Sequence, residues 1–397
     1  MIIDLPVSIS KEFEKELEEK IMLYIENIDH CTFNYTNENI SSINLEHAVS
    51  TDGNLIKEAV LSIFEEILIL VKKSKDHHII FQHQGVIENT QDPHSLLLES
   101  RSIVPTNKGD YVYQGDFLKL LQQLDLIFSK VFHQMGCQEQ QYPTFIDAEP
   151  LFELNYFNSM AQHLFFPINI AGNYKMIERF ATVNSRDENE EKKLKFNFQD
   201  MNIPQSIISP TVCYHCFSAI KNYTFTNNNM SFTGINKCMR CERSALVGLQ
   251  RLQTFTMREA IFVGEKDWIS NRWDSVLEKT QELFQKYFDL NFKIISASDP
   301  FFGTDGGRMQ VLQKSMKLKY EFQVMLPYTK KYLACGSINN HLNSMSSAFN
   351  FLLPDGSSAF SMCIGIGYER LALALLAQKG PQIEKILTLT NSILNNI

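Results

Sequence analysis

The sequence predicts an α+β fold: an antiparallel β-sheet flanked by helices, with an N-terminal helical extension ahead of it. Three observations carry this expectation. Beyond residue 210 the chain alternates short strands with few helices, which favours antiparallel pairing over a parallel α/β sheet. Between Gly115 and Met135, the residues Phe117, Leu118, Leu121, Leu124, Ile127, Phe128, Val131 and Phe132 line one face of a long helix that Gly136 stops. Ahead of residue 105, apolar residues recur twice at helical spacing, and no motif there points to chemistry.

Taken in order, Phe13, Leu17, Ile21, Leu23 and Tyr24 mark a helix between Ser10 and about Ile28, and Leu55 to Lys73 reads as a second amphipathic helix. A short strand follows at Ile79 to Phe81, and His77, His78 and His83 are expected to be structural. Residues 1–105 therefore form a helical or mixed extension suited to packing or partner binding, and residues 106–397 form the main domain. After the helix at Gly115 come a strand and Pro143. Asn184 to Lys193, dense in charge, and Thr226 to Ser231, rich in Asn, read as loops. No internal repeat of 20 to 50 residues is present.

Composition excludes several classes. With 397 residues, 44% hydrophobic and 21% charged, the chain has an ordinary globular make-up. The apolar run Ala59 to Val71 is broken by Glu65 and Glu66 and falls short of the roughly 20 residues that cross a bilayer, so no membrane span is expected. The opening residues Asp4, Lys11, Glu12 and Glu14 do not make a secretory signal, which points to the cytoplasm. Eight cysteines are too few for a disulfide scaffold of this length and suit reduced thiols or metal ligands. A net charge of -8 argues against a broad nucleic-acid surface, because phosphate binding needs clustered Lys and Arg.

Cys213-Tyr-His-Cys216 and Cys238-Met-Arg-Cys241 are two C-x-x-C pairs of the kind that hold structural zinc. Their surroundings favour another use. Met239-Arg240-Cys241-Glu242 ends a strand in Arg-x-Glu, a loop follows, and Arg251 to Gly264 returns as a strand. That arrangement offers a fixed guanidinium to an α-phosphate and a carboxylate to a base, with Phe255 placed to stack on adenine. An Arg-x-Glu triplet alone is usually a surface ion pair. The segment Cys363-Ile-Gly365-Ile-Gly367-Tyr-Glu-Arg370 adds glycines that let a strand pass close to a ligand, and an arginine at the start of an apolar helix. A dinucleotide fingerprint fails here, since its third glycine is replaced by Arg370.

Together these elements resemble motifs 2 and 3 of class II aminoacyl-tRNA synthetases, and the helix ending at Gly136 with Pro143 after it resembles the dimer-forming motif 1. Lys319-Tyr-Glu321-Phe-Gln-Val-Met-Leu-Pro327 resembles the strand before the last part of a seryl-type active site. The match narrows further. Pro210-Thr-Val-Cys213, Phe255-Thr-Met-Arg-Glu259, Asp299-Pro-Phe-Phe-Gly303, Leu318-Lys-Tyr-Glu321, Ala334-Cys-Gly-Ser337-Ile-Asn339-Asn-His341 and Cys363-Ile-Gly365 are similar to the amino acid:[carrier protein] ligases. That family is similar to the catalytic core of methanogenic-type seryl-tRNA synthetases and lacks their tRNA-binding domain. The likeness runs over roughly residues 105 to 380 and is densest after 210.

The resemblance implies a class II catalytic domain over 106–397, a homodimer formed through residues 115 to 145, and three cofactors: Zn2+, ATP and Mg2+. Zinc would be held by Cys213, Glu259 and Cys363, leaving a fourth position for the substrate amine; Glu259 is thereby also substrate-binding. ATP would be held by Arg240, Glu242, Arg251, Leu252, Phe255, Ala334, Cys335, Gly336, Ser337 and Arg370. Arg240 would act on the α-phosphate, Arg370 on the γ-phosphate and Glu242 at adenine, these three being the catalytic set. The implied activity is adenylation of an amino acid and its transfer to a phosphopantetheinylated carrier protein. Charging of tRNA, or an idle paralogue serving as a binding subunit, are the alternatives. Retention of Arg240, Glu242, Arg370 and the three ligands speaks against idleness, and the acidic N-terminal region offers no basic surface for tRNA.

Three positions depart from the family pattern. Cys241 stands where His is expected and bears on adenine binding, while Thr256 and Thr304 stand where Arg is usual and bear on substrate or acceptor. The extension of about a hundred residues is also unlike the compact family members. Cys216, Cys238, Cys241 and Cys335 are expected as small apolar or unligated thiols. His341 is expected as a hydrogen-bonding residue near the nucleotide.

Overall fold

The computed structural model describes residues 1–48, 52–73, 78–185, 194–302 and 304–397. The expected loop from Asn184 to Lys193 lies largely outside the described residues, as does His77.

The N-terminal segment is mixed rather than helical. Strands β1 (Ile2–Ser10), β2 (Ile28–Thr36) and β3 (Asn39–His47) form an antiparallel sheet in the order β1-β3-β2, with the helices Glu14–Tyr24 and Gly53–Lys73 packed against it. Leu17, Ile21, Ile40, Ile43, Leu45, Val60 and Phe64 are fully buried between these layers. These strands differ from the helical expectation: on the edge strand β2, Cys31, Phe33 and Tyr35 alternate with Thr32, Asn34 and Thr36, and only Ile28 is fully buried.

Within this core Lys20 Nζ lies 2.7 Å from Glu66 Oε2, with the side chains only 4% and 9% exposed. Breaking a buried pair by removing one partner typically costs about 3–5 kcal/mol, whereas replacing both by apolar groups of similar size is close to neutral. Lys20→Met should therefore lower the urea midpoint sharply, and Lys20→Met combined with Glu66→Leu should recover most of it. Equal midpoints for the single and double variants would show that the pair carries no such cost.

The large sheet gathers eight of the remaining strands. After β4 (Ile79–His83) come a hairpin of β5 (Ile103–Asn107) and β6 (Asp110–Tyr113), the short β7 (Gln138–Glu139), and β8 (Phe145–Asp147), which pairs with β9 (Ser206–Ile208). Then follow β10 (Asn229–Met239), β11 (Thr254–Gly264), β12 (Phe292–Ser296), β13 (Lys319–Leu326), β14 (Lys331–Leu342) and β15 (Phe360–Gly367). The order is β4-β12-β13-β14-β15-β11-β10-β7, antiparallel except where β7 runs parallel to β10. The strand expected at Ile79 thus belongs to this sheet, pairing with β12, and the chain enters the main domain ahead of residue 106.

The two faces of the sheet are distinct. Ala260, Phe262, Ile338, Met362, Ile364 and Ile366 point into a core shared with the helices Gly115–Gln134, Lys266–Glu282, Tyr368–Lys379 and Ile383–Asn396. On that side Arg258, 3% exposed, bonds Asp125 through Nε at 2.7 Å and Glu139 through Nη1 at 2.9 Å, fastening the long helix and β7 to β11. Gly136 (φ 85°) stops the long helix as expected, and Cys137 N closes it by donating to Phe132 O at 3.0 Å. The opposite face carries Ile261, Val263 and Cys363 against Cys213, Phe217, Phe349 and Phe351, and beside them a run of polar groups. Among the described residues, no helix is long and apolar enough to cross a membrane.

Candidate active site

Strand register assembles the polar face. Glu259 stands opposite Gly234 and Gly365, Gly365 opposite Ser337, and Ser337 opposite Glu321. Residues directly opposite, and those two positions along, share a face. Cys363, Asn339 and Lys319 form the next rung of the same surface. At Gly365 a Cβ would meet Met257 Sδ at 2.8 Å and Glu259 Cγ at 3.2 Å, so a side chain there would displace Met257 and crowd Glu259. At Gly336 a Cβ would meet Ile366 Cδ1 at 2.7 Å and Gly365 O at 2.9 Å, so β14 keeps its approach to β15 because position 336 lacks a side chain.

A metal-type group lies at one end of this surface. Cys213 opens the short helix Cys213–Ala219, and its sulfur, the Cys363 sulfur and a His341 ring nitrogen lie within 4.8 Å of one another. Cys363 Sγ is 3.5 Å from His341 Nε2 and accepts from Asn339 Nδ2 at 3.8 Å. Glu259 Oε1 is occupied by the Thr211 hydroxyl and by Val212 N at 2.9 Å, while Oε2 is buried without any partner. The hydrogen bond with Cys363, then burial and the Glu259 carboxylate, hold the Cys213 thiol far above its ordinary range. For Cys363 the bond with Cys213 lowers the thiol, but burial and Glu259 outweigh it and the net shift is upward. Burial pulls His341 down to about 4, so its ring is neutral at pH 7 and open to coordination.

These donors fit zinc. Two sulfurs, a neutral imidazole and an orphaned carboxylate oxygen are the ligand types zinc takes, and Glu259 Oε2 would gain a partner from a cation. Of the expected set Cys213, Glu259 and Cys363, the two thiols lie in the close group. His341 supplies the third atom of the close group, and Glu259 faces it.

At the other end guanidinium groups converge. Arg240 donates from Nε to Pro210 O at 2.9 Å and lies over the Phe255 ring, 5.3 Å from its centroid. Arg251 Nη1 donates to Glu242 Oε2 at 2.9 Å. Arg370, at the start of its helix, donates from Nε to Gln250 O at 2.7 Å and from Nη1 to Ala334 O at 3.1 Å. Burial would raise the Glu242 carboxyl, but Arg251, with His163 and Arg240 behind it, holds it below its ordinary value. Burial and then the charge of Arg251 pull Arg370 down, with Glu242 opposing. Three cations around one carboxylate leave an excess of positive charge suited to an anionic ligand.

Between the two ends, Lys319 Nζ donates to Asp299 Oδ1, and Gln313 Nε2 donates to Asp299 Oδ2 at 2.8 Å. Burial opposes ionisation of Asp299, yet Lys319 and Gln313 keep its carboxyl below the usual range.

With this geometry in place, comparison with known proteins is decisive for the fold. Residues 196–379 match the family described as tRNA synthetase class II core domain (G, H, P, S and T). The chain shares the fold of the class II synthetases. Over 178 residues it is 32% identical to amino acid--[acyl-carrier-protein] ligase 2 of Bradyrhizobium diazoefficiens, covering 45% of this chain and 52% of that one. Ligase 1 of the same organism is 30% identical over 178 residues, 45% and 54% of the two chains. The type-2 serine--tRNA ligase of Methanopyrus kandleri is 21% identical over 294 residues, 70% and 55%. The chain spans about half the length of these curated relatives. Among solved structures, that of M. kandleri SerRS in complex with A. aeolicus tRNASec superposes with a TM-score of 0.68 at 17% identity, over 97% of this chain and 76% of that one.

The remaining expected residues lie in and around the same sheet. Cys335 is 2% exposed and its thiol, pushed up to about 12 by burial, points to Leu333 O, so only its backbone borders the polar face. Ser337 accepts from Asn339 Nδ2 at 3.2 Å, and Leu252 is buried under the loop. Cys216, Cys238 and Cys241 do not join a metal-type group among the described residues, so the paired C-x-x-C spacing does not build a ribbon. Thr256 faces the helical side: its hydroxyl bonds Glu369 at 2.7 Å and accepts from Lys237 Nζ at 2.6 Å. Its register partner Lys237 thus brings the cation that position 256 lacks, away from the polar face. Thr304 begins the helix Thr304–Ser315, its side chain lying outside the described residues. His341 bonds Ser361 Oγ at 3.2 Å besides meeting Cys363. Period-two alternation along β14 places it with Ser337 and Asn339, but the strand opposite was not readable from spacing.

Proposed function

We propose that the protein activates an amino acid with ATP as an aminoacyl-adenylate and transfers it to the phosphopantetheine thiol of a carrier protein. The observation that carries this reading is the convergence of Arg240, Arg251 and Arg370 on one end of the polar face, with the Cys213, Cys363, His341 and Glu259 group at the other. ATP enters with Mg2+ at the cationic end. Glu242 and Phe255 take the adenine, Arg240 the α-phosphate and Arg370 the γ-phosphate.

In the first step a carboxylate oxygen of the amino acid forms a bond to the α-phosphorus, and the bond from that phosphorus to the bridging oxygen breaks, releasing pyrophosphate. Arg240, fixed by Pro210 O and the Phe255 ring, faces the charge that grows on the α-phosphoryl oxygens without reorganising. Zinc at the thiol group would supply a Lewis-acid contact for an uncharged α-amine, which selects amino acids over plain acids. In the second step the carrier thiol loses its proton, its sulfur bonds the acyl carbon, and AMP leaves. A mixed anhydride is reactive enough that this step needs little acid-base help.

The carrier acceptor is favoured by the two acyl-carrier-protein ligases at 32% and 30% identity, against 21% for the serine--tRNA ligase, and by the net charge of -8. The test incubates enzyme, ATP and labelled amino acid in parallel with holo carrier protein, apo carrier protein and total tRNA. Label is expected on the holo carrier alone. Label on tRNA, or equally on apo and holo carrier, would overturn the thioester step and leave adenylation standing.

A further inference from the structure

The helix Glu14–Tyr24 ends without any basic residue in its last turn, and Ile25 N caps only Ile21 O. Its last carbonyls and the negative end of its dipole therefore need donors and a cation from elsewhere. Both come from the turn just after Glu242. Arg243 Nη1 donates to Leu23 O at 3.2 Å and to Gln162 O at 2.8 Å. Ser244 Oγ donates to Ile25 O at 2.9 Å and accepts from Ile28 N at 3.1 Å. Arg243 holds φ at 43°, a left-handed conformation that a residue with a Cβ keeps only where its surroundings dictate it.

The same helix end touches the Asp299 loop. Tyr24 donates its hydroxyl proton to Pro300 O at 3.2 Å, its ring meets Phe302 edge-on at 5.5 Å, and Gln162 Nε2 also donates to Pro300 O at 2.8 Å. Arg243 and Ser244, and Pro300 and Phe302, thus meet one turn of the N-terminal module, and Gln162 bonds both segments. These segments follow directly on Glu242 and Asp299.

We propose that Arg243 is a positioning residue through which the N-terminal module holds the Glu242–Arg251 loop in its nucleotide-ready place. The module is then a working part of the catalytic apparatus rather than an appendage. This rests on the adenylation reading for the meaning of that place, but the clamp itself is independent of it.

The test uses the full chain with Arg243→Ala, Arg243→Lys and Tyr24→Phe, and reads hydrogen exchange over residues 240–253 together with ATP binding by equilibrium dialysis. Arg243→Ala is expected to speed exchange in 240–253 and to raise the Kd for ATP by on the order of tenfold, the scale of a lost charge-assisted hydrogen bond. Exchange in β14 and β15 stays slow. In pyrophosphate exchange the loss falls on KM for ATP, with kcat close to wild type. Arg243→Lys, which keeps the charge but not the two-carbonyl fork, falls between. Tyr24→Phe, a mild change, speeds exchange at 299–302. Unchanged exchange and unchanged ATP affinity in Arg243→Ala overturn the proposal, as does a uniform loss of protection across the whole chain. Faster exchange in 240–253 in a chain whose wild type binds no ATP supports the clamp and overturns the adenylation reading instead.

Discussion

Replacing Arg370 by Ala lowers amino-acid-dependent ATP–pyrophosphate exchange by about 10²- to 10³-fold, the usual cost of removing one donor aimed at transition-state charge. The side chain is held by Gln250 O and Ala334 O, which point its guanidinium into the cluster with Arg251 and Arg240. Its loss leaves two carbonyls short of a donor, so a modest fall in stability accompanies the change, and the exchange assay is run well below the melting temperature of the variant. Arg370→Lys keeps the charge but loses the planar fork and recovers only part of the rate. A fall in kcat with KM for ATP little changed marks a contact made mainly in the transition state. Exchange at the wild-type rate in Arg370→Ala would remove Arg370 from the phosphate site, and with it the carrying observation for adenylation.

The second large effect concerns metal. Purified protein is expected to carry one zinc per chain, Cys363→Ala to carry none, and Cys238→Ala to keep it. The reason is geometric: Cys213, Cys363 and His341 offer atoms within 4.8 Å of one another beside the unpartnered Glu259 Oε2, whereas Cys238 is a fully buried thiol outside that group. Removing one thiolate from such a set takes away a ligand and leaves the others insufficient to hold the ion. His341→Ala and Glu259→Gln then rank the other two donors by residual zinc content. Elemental analysis that finds zinc lost from Cys238→Ala and kept in Cys363→Ala would instead establish the ribbon and remove the amine-anchoring role.

Much of the candidate site was legible in the sequence. Glycines at 365 and 367 ahead of Arg370, and Arg240-x-Glu242 ahead of a returning strand, are local patterns whose chemistry needs those residues at that spacing, and the structure puts them in strands and turns of the expected kind. The long helix from Gly115 was equally plain, because eight apolar residues on one face leave little else for it to be. The N-terminal strands were not as plain, since β2 buries only Ile28 fully and its alternation of Cys31, Phe33 and Tyr35 is short. Nor was the place of β4, whose five residues name no partner; only its pairing with β12 assigns it to the large sheet.

The sequence by itself determined which chemistry the polar face can hold: two thiols, a carboxylate, three arginines and the glycines that admit a ligand, each tied to a short motif. Tertiary structure alone decided which of these groups meet. Register sets Glu259 across from Gly365 and brings Asn339 level with Cys363, while His341 closes on the thiols from two residues further along β14. It also turned Thr256 toward Glu369 and Lys237, and set Arg243 and Ser244 into the open end of a helix whose Leu23 lies 220 positions before Arg243. Such contacts depend on the pairing of distant strands and on the packing of one module against another, and no local period in the chain encodes them.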